Sequence, residues 1–407
     1  MQQTGLNPRA TLVMKKRPIY DTFPDVRSYD LHRLSIMTLS KTRIGLVGFG
    51  RIAELAYMPI IQSSFPDMHI SAVYDTDSER LQRVTRDYPS ITTFNRYEDF
   101  LDTDIRAVLI CTPNWSHCSY SQRALEAGKH VLCEKPLALR AADARNVVNA
   151  ARQHGRFFMV SSPNRFRSDI VQLRCLIASP EFGDISAIRC GWLRRSGIPN
   201  LGSWFTTKRL SGGGSLTDLG SHLIDIALYL AGDHRLENVS AELCYSHHGP
   251  VAESNWYTPA SPSGDNLCDV EISAKCQAVA GERIALTIET SWHAPVEHDT
   301  TFIDIQGTSG AASFRSLFGM SPNGTRPAVS GYARYDNGRV VDIAGSTCIM
   351  EPFKLQLQEF FRGVNANRRP PDSTLERYVA SAEFLESAYQ HTIENYREPS
   401  FPREAIV

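Results

Sequence analysis

RIGLVGFGRIAE, residues 43–54, decides the architecture. The apolar run up to Val47 reads as a buried strand, and Gly48 and Gly50 break it within three residues. The segment RIAELAYMPIIQ that follows then has helical spacing. A strand that passes through a glycine turn straight into a helix is the first half of a strand–helix–strand unit. Working outward, the same grammar repeats. HISAVYD (69–75), AVLICTP (107–113), HVLCE (130–134) and FFMVSS (157–162) read as strands. SERLQRVTRDY (78–88), HCSYSQRALEAG (117–128) and ADARNVVNAARQHG (142–155) read as helices, the last two ended by Gly128 and Gly155. Short connections between alternating elements predict an α/β domain over 42–163 with a doubly wound parallel sheet, the Rossmann arrangement.

Beyond about Pro163 the pattern changes. RIALTIETSW (283–292) alternates with period two, so that Ile284, Leu286 and Ile288 share a face, and TTFIDIQG (300–307) and GAASFRS (310–316) follow. This predicts a second, α+β domain over 164–395 built on a mixed or antiparallel sheet. Closing helices are expected at about 351–365 and 374–393. Residues 1–41 carry Pro8, Pro18 and Pro24 without periodicity. They read as a flexible arm, as an arm wrapping a neighbouring subunit, or as the product of an early start codon, since Met37 stands just before the domain. Residues 396–407 read as an irregular tail.

The 407 residues are 42% hydrophobic and 21% charged, with a net charge of −1, which gives no bulk electrostatic pull toward nucleic acid or membrane. Nine cysteines without a C-x-x-C pair argue against a disulfide framework or zinc ribbon. His293 and His298 lack metal-ligand spacing, and no metal is expected. No run is long and apolar enough for a membrane span, and no signal-peptide core follows Lys15–Arg17; a cytoplasmic location is expected.

In VGFGRIAE the glycines occupy a G-x-G-x-x-A pattern in the context that gives it meaning. Gly48 serves the tight turn, and Gly50 lets backbone N–H groups approach a pyrophosphate. Ala53 permits close helix–strand packing, and Arg51 and Ile52 open the helix whose N-terminus faces the phosphates. Asp75 ends the second strand, 25 residues after Gly50, where a carboxylate accepts hydrogen bonds from ribose hydroxyls and repels a 2′-phosphate. NAD is therefore expected over NADP. Asp77 is the alternative acid, and Arg80 weakens the exclusion. Thr112, Pro113, Asn114 and His117 lie at the next strand tip and are expected in the same crevice, although His117 alone reads equally as a helix-entry residue.

GKHVLCEKPLAL (128–139) then delivers Glu134 and Lys135 to the tip of a buried strand that Pro136 terminates. That tip points into the cofactor crevice, where a lysine beside the nicotinamide would hydrogen-bond a substrate hydroxyl and relay its proton. GGGSLTDLGSHLIDIALYL (212–230) places Asp218 and His222 four residues apart on one helix face, with Asp225 three further on. A histidine beside a carboxylate suits acid–base work near neutral pH.

Together VGFGRIAE, CTPNWSHCSYSQRALEAGKHVLCEKPLAL and GGGSLTDLGSHLIDIALYLAG resemble the glucose–fructose oxidoreductase / inositol dehydrogenase family, Gfo/Idh/MocA, in element order over about residues 42–395. The resemblance implies an N-terminal dinucleotide-binding domain and a C-terminal domain with a large, mostly antiparallel open sheet. The outer face of that sheet would pair subunits as a homodimer or homotetramer. It implies hydride transfer between nicotinamide and a secondary alcohol or ketone of a sugar, nucleotide sugar, aminosugar or cyclitol. Lys135 matches the catalytic lysine, Asp218 and His222 the Asp-x-x-x-His pair, and Asp75 the ribose-binding acid. His222 is taken as principal base or acid, Lys135 as proton relay and Asp218 as its orienter or a substrate contact.

For the substrate side, Trp192, Arg194 and Trp204 between the domains, with Arg165 near their junction, are expected to line the pocket. Aromatic faces stack on sugar rings, and arginine forks bind carboxylate or phosphate. Adjacent strand residues face opposite ways, so at most one of Arg194 and Arg195 points inward. Two other functions share the fold: a lyase or glycosidase that oxidises its substrate transiently with bound NAD, and a non-catalytic dinucleotide- or sugar-sensing regulator.

Overall fold

Six parallel strands form the first sheet: β1 (Thr42–Val47), β2 (Met68–Tyr74), β3 (Thr92–Phe94), β4 (Ala107–Ile110), β5 (His130–Cys133) and β6 (Phe158–Val160). The computed structural model describes residues 42–232, 235–245, 268–319, 330–345 and 348–392, so the expected arm over 1–41 and tail over 396–407 lie outside the described residues. The strand order is β3-β2-β1-β4-β5-β6, which reverses direction between β1 and β4. That reversal opens a crevice beyond the carboxyl ends of the strands, where doubly wound sheets bind ligands. Within this sheet only β3 was not expected from sequence. It is a three-residue edge strand without a buried position and so has no apolar run to read.

The second sheet has eight strands: β7 (Ile185–Leu193), β8 (Leu236–Cys244), β9 (Ser273–Ala280), β10 (Ile284–Ser291), β11 (Thr300–Gly307), β12 (Gly310–Ser316), β13 (Ser330–Tyr335) and β14 (Val340–Asp342). Their order is β14-β13-β12-β11-β7-β10-β9-β8. Neighbours are antiparallel except β7 and β10, whose parallel pairing sets both strand ends toward the first sheet's crevice residues. Ile284, Leu286 and Ile288 face one core, as their alternation requires. On the other face Arg189 donates to Glu289 at 2.9 Å and Arg315 to Asp304 at 2.7 Å, with both guanidinium groups over the Phe302 ring.

The closing helices span Met350–Ala366 and Asp372–Gln390. Phe353, Leu357, Phe360 and Val364 pack with Ile44, Leu46 and Leu109. Leu375, Val379 and Ala382 pack with Val47, Val108 and Val131. The chain's last helices thus cover the first sheet, while Phe384 and Leu385 reach into the core of the second. This three-way packing fixes the two sheets around the crevice.

Candidate active site

The glycine turn is built for close backbone approach. Gly48 has φ +85°, and a Cβ there would meet Thr112 Cγ2 at 2.9 Å and the Cys111 carbonyl carbon at 3.0 Å. At Gly50 an added Cβ would meet nothing within 4 Å, so the backbone lies open on that side. Asp75 is buried and braces the turn: its Oδ2 accepts from Phe49 N at 2.7 Å and its Oδ1 from Asp77 N at 2.9 Å. Asp77, the alternative acid, caps the Ser78–Asp87 helix by accepting from Glu79 N and Arg80 N. Arg80 stands 3.6 Å from Asp75 and 3.4 Å from Asp77. The helix after the turn begins with a π turn, Ala53–Tyr57, before the α-helix Met58–Ser64. An open backbone at a helix entrance, with a buried carboxylate at the end of β2, fits a dinucleotide.

Beside the turn lies a cleft of about 190 Å³. From the first sheet Gly50, Arg51, Ile52, Thr112, Asn114, His117, Glu134 and Lys135 line it; from the second part Trp192, Arg194, Trp204, Asp218 and His222 do. Gly48 and Asp75 do not line it. Pro113 precedes a short helical turn and does not line the cleft; its carbonyl accepts from Ser116.

Lys135 and Asp218 meet across the cleft. Lys135 Nζ donates to Asp218 Oδ1 and to the Asp218 carbonyl, each at 2.9 Å, and Trp292 Nε1 donates to Asp218 Oδ2 at 3.0 Å. Burial works against ionisation of this carboxyl, but Lys135, Arg194 and the hydrogen bonds from Lys135 and Trp292 hold it far below the usual range. The Lys135–Pro136 peptide is cis. Asp218 sits in a π turn, Leu216–Gly220, that leads into the α-helix Ser221–Ala231 carrying His222. An uninterrupted α-helix had been expected; π turns recur at functional sites. Burial pushes the His222 imidazole well below its ordinary pKa, Lys135 and Arg194 add to the shift, and Asp218 opposes it. These influences keep His222 neutral, and holding a proton there costs more than on a free imidazole.

The rigid frame behind these groups comes largely from residues that the sequence did not mark. Glu271, 1% exposed, accepts from Gly214 N at 2.8 Å, Leu216 N at 2.9 Å and Tyr389 OH at 2.9 Å. A carboxylate far away in sequence thus satisfies the helix entrance that carries Asp218. The glycines there are obligatory, since a Cβ on Gly214 would lie 1.9 Å from the Glu271 carbonyl oxygen. Tyr57 OH donates to Glu134 Oε1 at 2.5 Å, and Gln356 Nε2 donates to Ser161 Oγ at 3.1 Å. Only the period of the Ala53–Ser64 helix hinted at Tyr57, and Trp292 followed a strand without any motif.

His117 resolves between its two readings. Its Nδ1 lies 2.7 Å from the Pro136 carbonyl and its Nε2 2.7 Å from the Thr112 carbonyl. Both nitrogens face backbone carbonyls, and the one that carries the proton donates to its carbonyl, so His117 stands as a structural tie at the cleft wall. Asn114 Nδ2 donates to the Ser211 carbonyl at 2.8 Å and ties the same tip to the segment before the glycine run.

Of the two arginines after β7, Arg194 is buried in the cleft wall and Arg195 is exposed. Trp192 packs beside His222, with ring centroids 5.7 Å apart, and Trp204 stacks on Phe205. The expectation for Arg165 is corrected. Arg165 does not line the cleft but forms a buried two-pronged pair with Asp225. Asp225 follows Asp218 by seven residues, about two helical turns on, and its charge is spent on the pair with Arg165.

Residues 42–162 match the description "Oxidoreductase family, NAD-binding Rossmann fold" of Gfo/Idh/MocA, and residues 170–313 match the Gfo/Idh/MocA C-terminal domain. Inositol 2-dehydrogenase of Corynebacterium glutamicum is 30% identical over 241 residues, 58% of this chain and 68% of that protein. D-glucoside 3-dehydrogenase of Escherichia coli is 33% identical over 210 residues, 51% of this chain and 59% of that protein. The solved structure of KijD10, a 3-ketoreductase from Actinomadura kijaniata in complex with NADP and TDP-benzene, has a TM-score of 0.68 at 20% identity. That match covers 86% of this chain and 97% of KijD10. GenD2 from gentamicin A biosynthesis, in complex with NAD, has a TM-score of 0.67 at 20% identity, covering 88% of this chain and 96% of GenD2.

Proposed function

The chain belongs to the Gfo/Idh/MocA family of oxidoreductases, and from that premise we propose an NAD-dependent dehydrogenase or reductase of a secondary alcohol on a sugar or cyclitol ring. The observation that carries this reading is the Lys135–Asp218 pair at 2.9 Å, facing a neutral His222 beside the glycine turn. Relatives named as inositol and glucoside dehydrogenases support the ring alcohol as substrate.

When bound, the nicotinamide supplies the hydride acceptor or donor. Gly48, Gly50, Arg51 and Ile52 would hold the pyrophosphate end, and Asp75 the ribose. Because the Asp75 carboxylate is buried at the turn, a 2′-phosphate would be repelled there, which favours NAD; Arg80 tempers this. An ammonium has three protons. Two of those on Lys135 go to Asp218, which aims the third into the cleft at the reacting oxygen. His222 takes the proton from that oxygen in the oxidative direction and returns it in the reductive one. Asp218 acts as orienter of Lys135. Residues 42–163 would form the cofactor domain and 164–395 the substrate domain, with subunits pairing through the face that carries Arg189 and Arg315.

The test is initial-rate measurement with NAD and NADP separately against inositols, free sugars and nucleotide sugars, following NADH and substrate mass together. Net NADH formation with one ring alcohol, and slower use of NADP, is expected. Bond cleavage in the substrate without net NADH would replace this reading with transient oxidation by bound cofactor.

A further inference from the structure

We propose that the substrate of this cleft carries a carboxylate on the ring carbon adjacent to the carbon that reacts, and that Arg194 binds it. The inference rests on the oxidoreductase reading and narrows its substrate to acidic ring sugars such as uronates.

Arg194 is only 8% exposed, yet among the described residues its buried Nε has no hydrogen-bond partner, and its interaction with the Asp218 carboxylate is through space rather than a salt bridge within 4 Å. Every other arginine of comparable burial is paired: Arg165 with Asp225, Arg167 with Asp169. A buried cation without its own anion is costly, and the molecule keeps one where the cleft is open to a ligand. Its position is fixed rather than incidental. The Arg194 N–H donates to the Ser291 carbonyl at 2.9 Å, and its carbonyl accepts from Ala294 N at 2.7 Å. The guanidinium carbon lies 5.6 Å from the Trp192 ring, which also packs beside His222 and Phe318.

Charge in the cleft points the same way. Of the charged residues lining the cleft, Arg51, Lys135, Arg167 and Arg194 are positive and Glu134 and Asp218 negative; Arg167 is paired with Asp169, and Glu134 accepts from Tyr57. Both oxygens of Asp218 are already taken by Lys135 and Trp292. Arg194 lines the same cleft as Lys135, Asp218 and His222 and shares the Trp192 ring with His222, which places it beside the chemistry, not at the far end of a long substrate. One planar fork matches one carboxylate. A nucleotide diphosphate would hang from the anomeric carbon and present its charge away from the reacting centre.

The test is binding to the full-length chain loaded with NADH, using cofactor fluorescence and calorimetry. The probes are two matched pairs, D-glucuronate with D-glucose and D-galacturonate with D-galactose, together with UDP-glucose. At least one uronate should bind about tenfold or more tightly than its aldose, and Arg194→Met should bring that ratio to about one with NADH binding intact. Arg194→Lys should restore part of the preference, since charge returns without the fork. Equal binding within both pairs, or a loss in Arg194→Met that is the same for acid and aldose, overturns the proposal. Selection of UDP-glucose over both uronates overturns it in favour of phosphate. A wild-type chain that fails to bind NADH removes the oxidoreductase reading itself.

Discussion

Replacing Asp218 by asparagine should separate the pair's electrostatic role from its shape. At 2.9 Å, with both side chains under one-fifth exposed, Lys135 and Asp218 attract one another by about 6 kcal/mol at an effective dielectric near 20. Desolvation of both groups takes back most of this, so the measurable cost of removing one partner is about 3–5 kcal/mol. Asparagine keeps the volume but cannot keep the bonds. Its single oxygen can face either Lys135 Nζ or Trp292 Nε1, and its NH2 must then face the other donor. Asp218→Asn should therefore lower stability to urea by about 3 kcal/mol and kcat/KM by about 100-fold or more, with NADH affinity unchanged. Adding Lys135→Met removes the stranded cation. The double variant should regain at least half of the lost stability and none of the lost activity. A double-mutant cycle with a coupling energy within about 0.5 kcal/mol of zero, or a single variant within about threefold of wild-type kcat/KM, would refute the reasoning.

Two further outcomes are expected. Glu271 does not line the cleft, so Glu271→Gln should spare NADH binding; by presenting an NH2 toward Gly214 N or Leu216 N it should lower kcat about 10- to 100-fold. Comparing kcat with the NADH dissociation constant checks this, and parallel loss of both would show general unfolding instead. For pH, burial depresses His117, His222 and His130, the last to about 4. Below pH 6.5 the unfolded chain binds protons that the native histidines refuse, so stability is full above 6.5 and lost on acidification, by up to about 1.4 kcal/mol per pH unit for each group. Urea titrations at pH 7, 6 and 5 check the sign, and a flat or rising trend would contradict it.

Much of the fold was legible because buried strands and capped helices write their period into the chain. TTFIDIQG and GAASFRS coincide with β11 and β12, and Gly128 and Gly155 adopt positive φ after their helices. The edge strand β3 left no such trace. At the site, Lys135, Asp218 and His222 converge on one cleft, and one arginine of the Arg194–Arg195 pair turns inward, although both lie just past the end of β7, where strand alternation no longer dictates it. What the sequence hid were partnerships between distant segments. Arg165 resembled a pocket residue until Asp225, 60 residues on, claimed it. Trp292 and Glu271 carry no local motif; their meaning comes from the segment they happen to meet, 74 and 57 residues away at Asp218 and Gly214.

The π turn at Leu216–Gly220 makes chain length itself part of the catalytic apparatus. It holds one residue more than an α-helix of the same rise would need. The Asp218 carbonyl there accepts from Lys135 and from Ser221 Oγ. Deleting one residue from the turn would wind it back into an ordinary helix and swing Asp218 by about 100° relative to His222. Lysine, aspartate and histidine would all survive in the letters of such a descendant, and their meeting point would be gone. Insertions and deletions between Gly212 and His222 are thus as consequential as substitutions, and a relative with every signature residue but a different count there has inherited the words without the sentence.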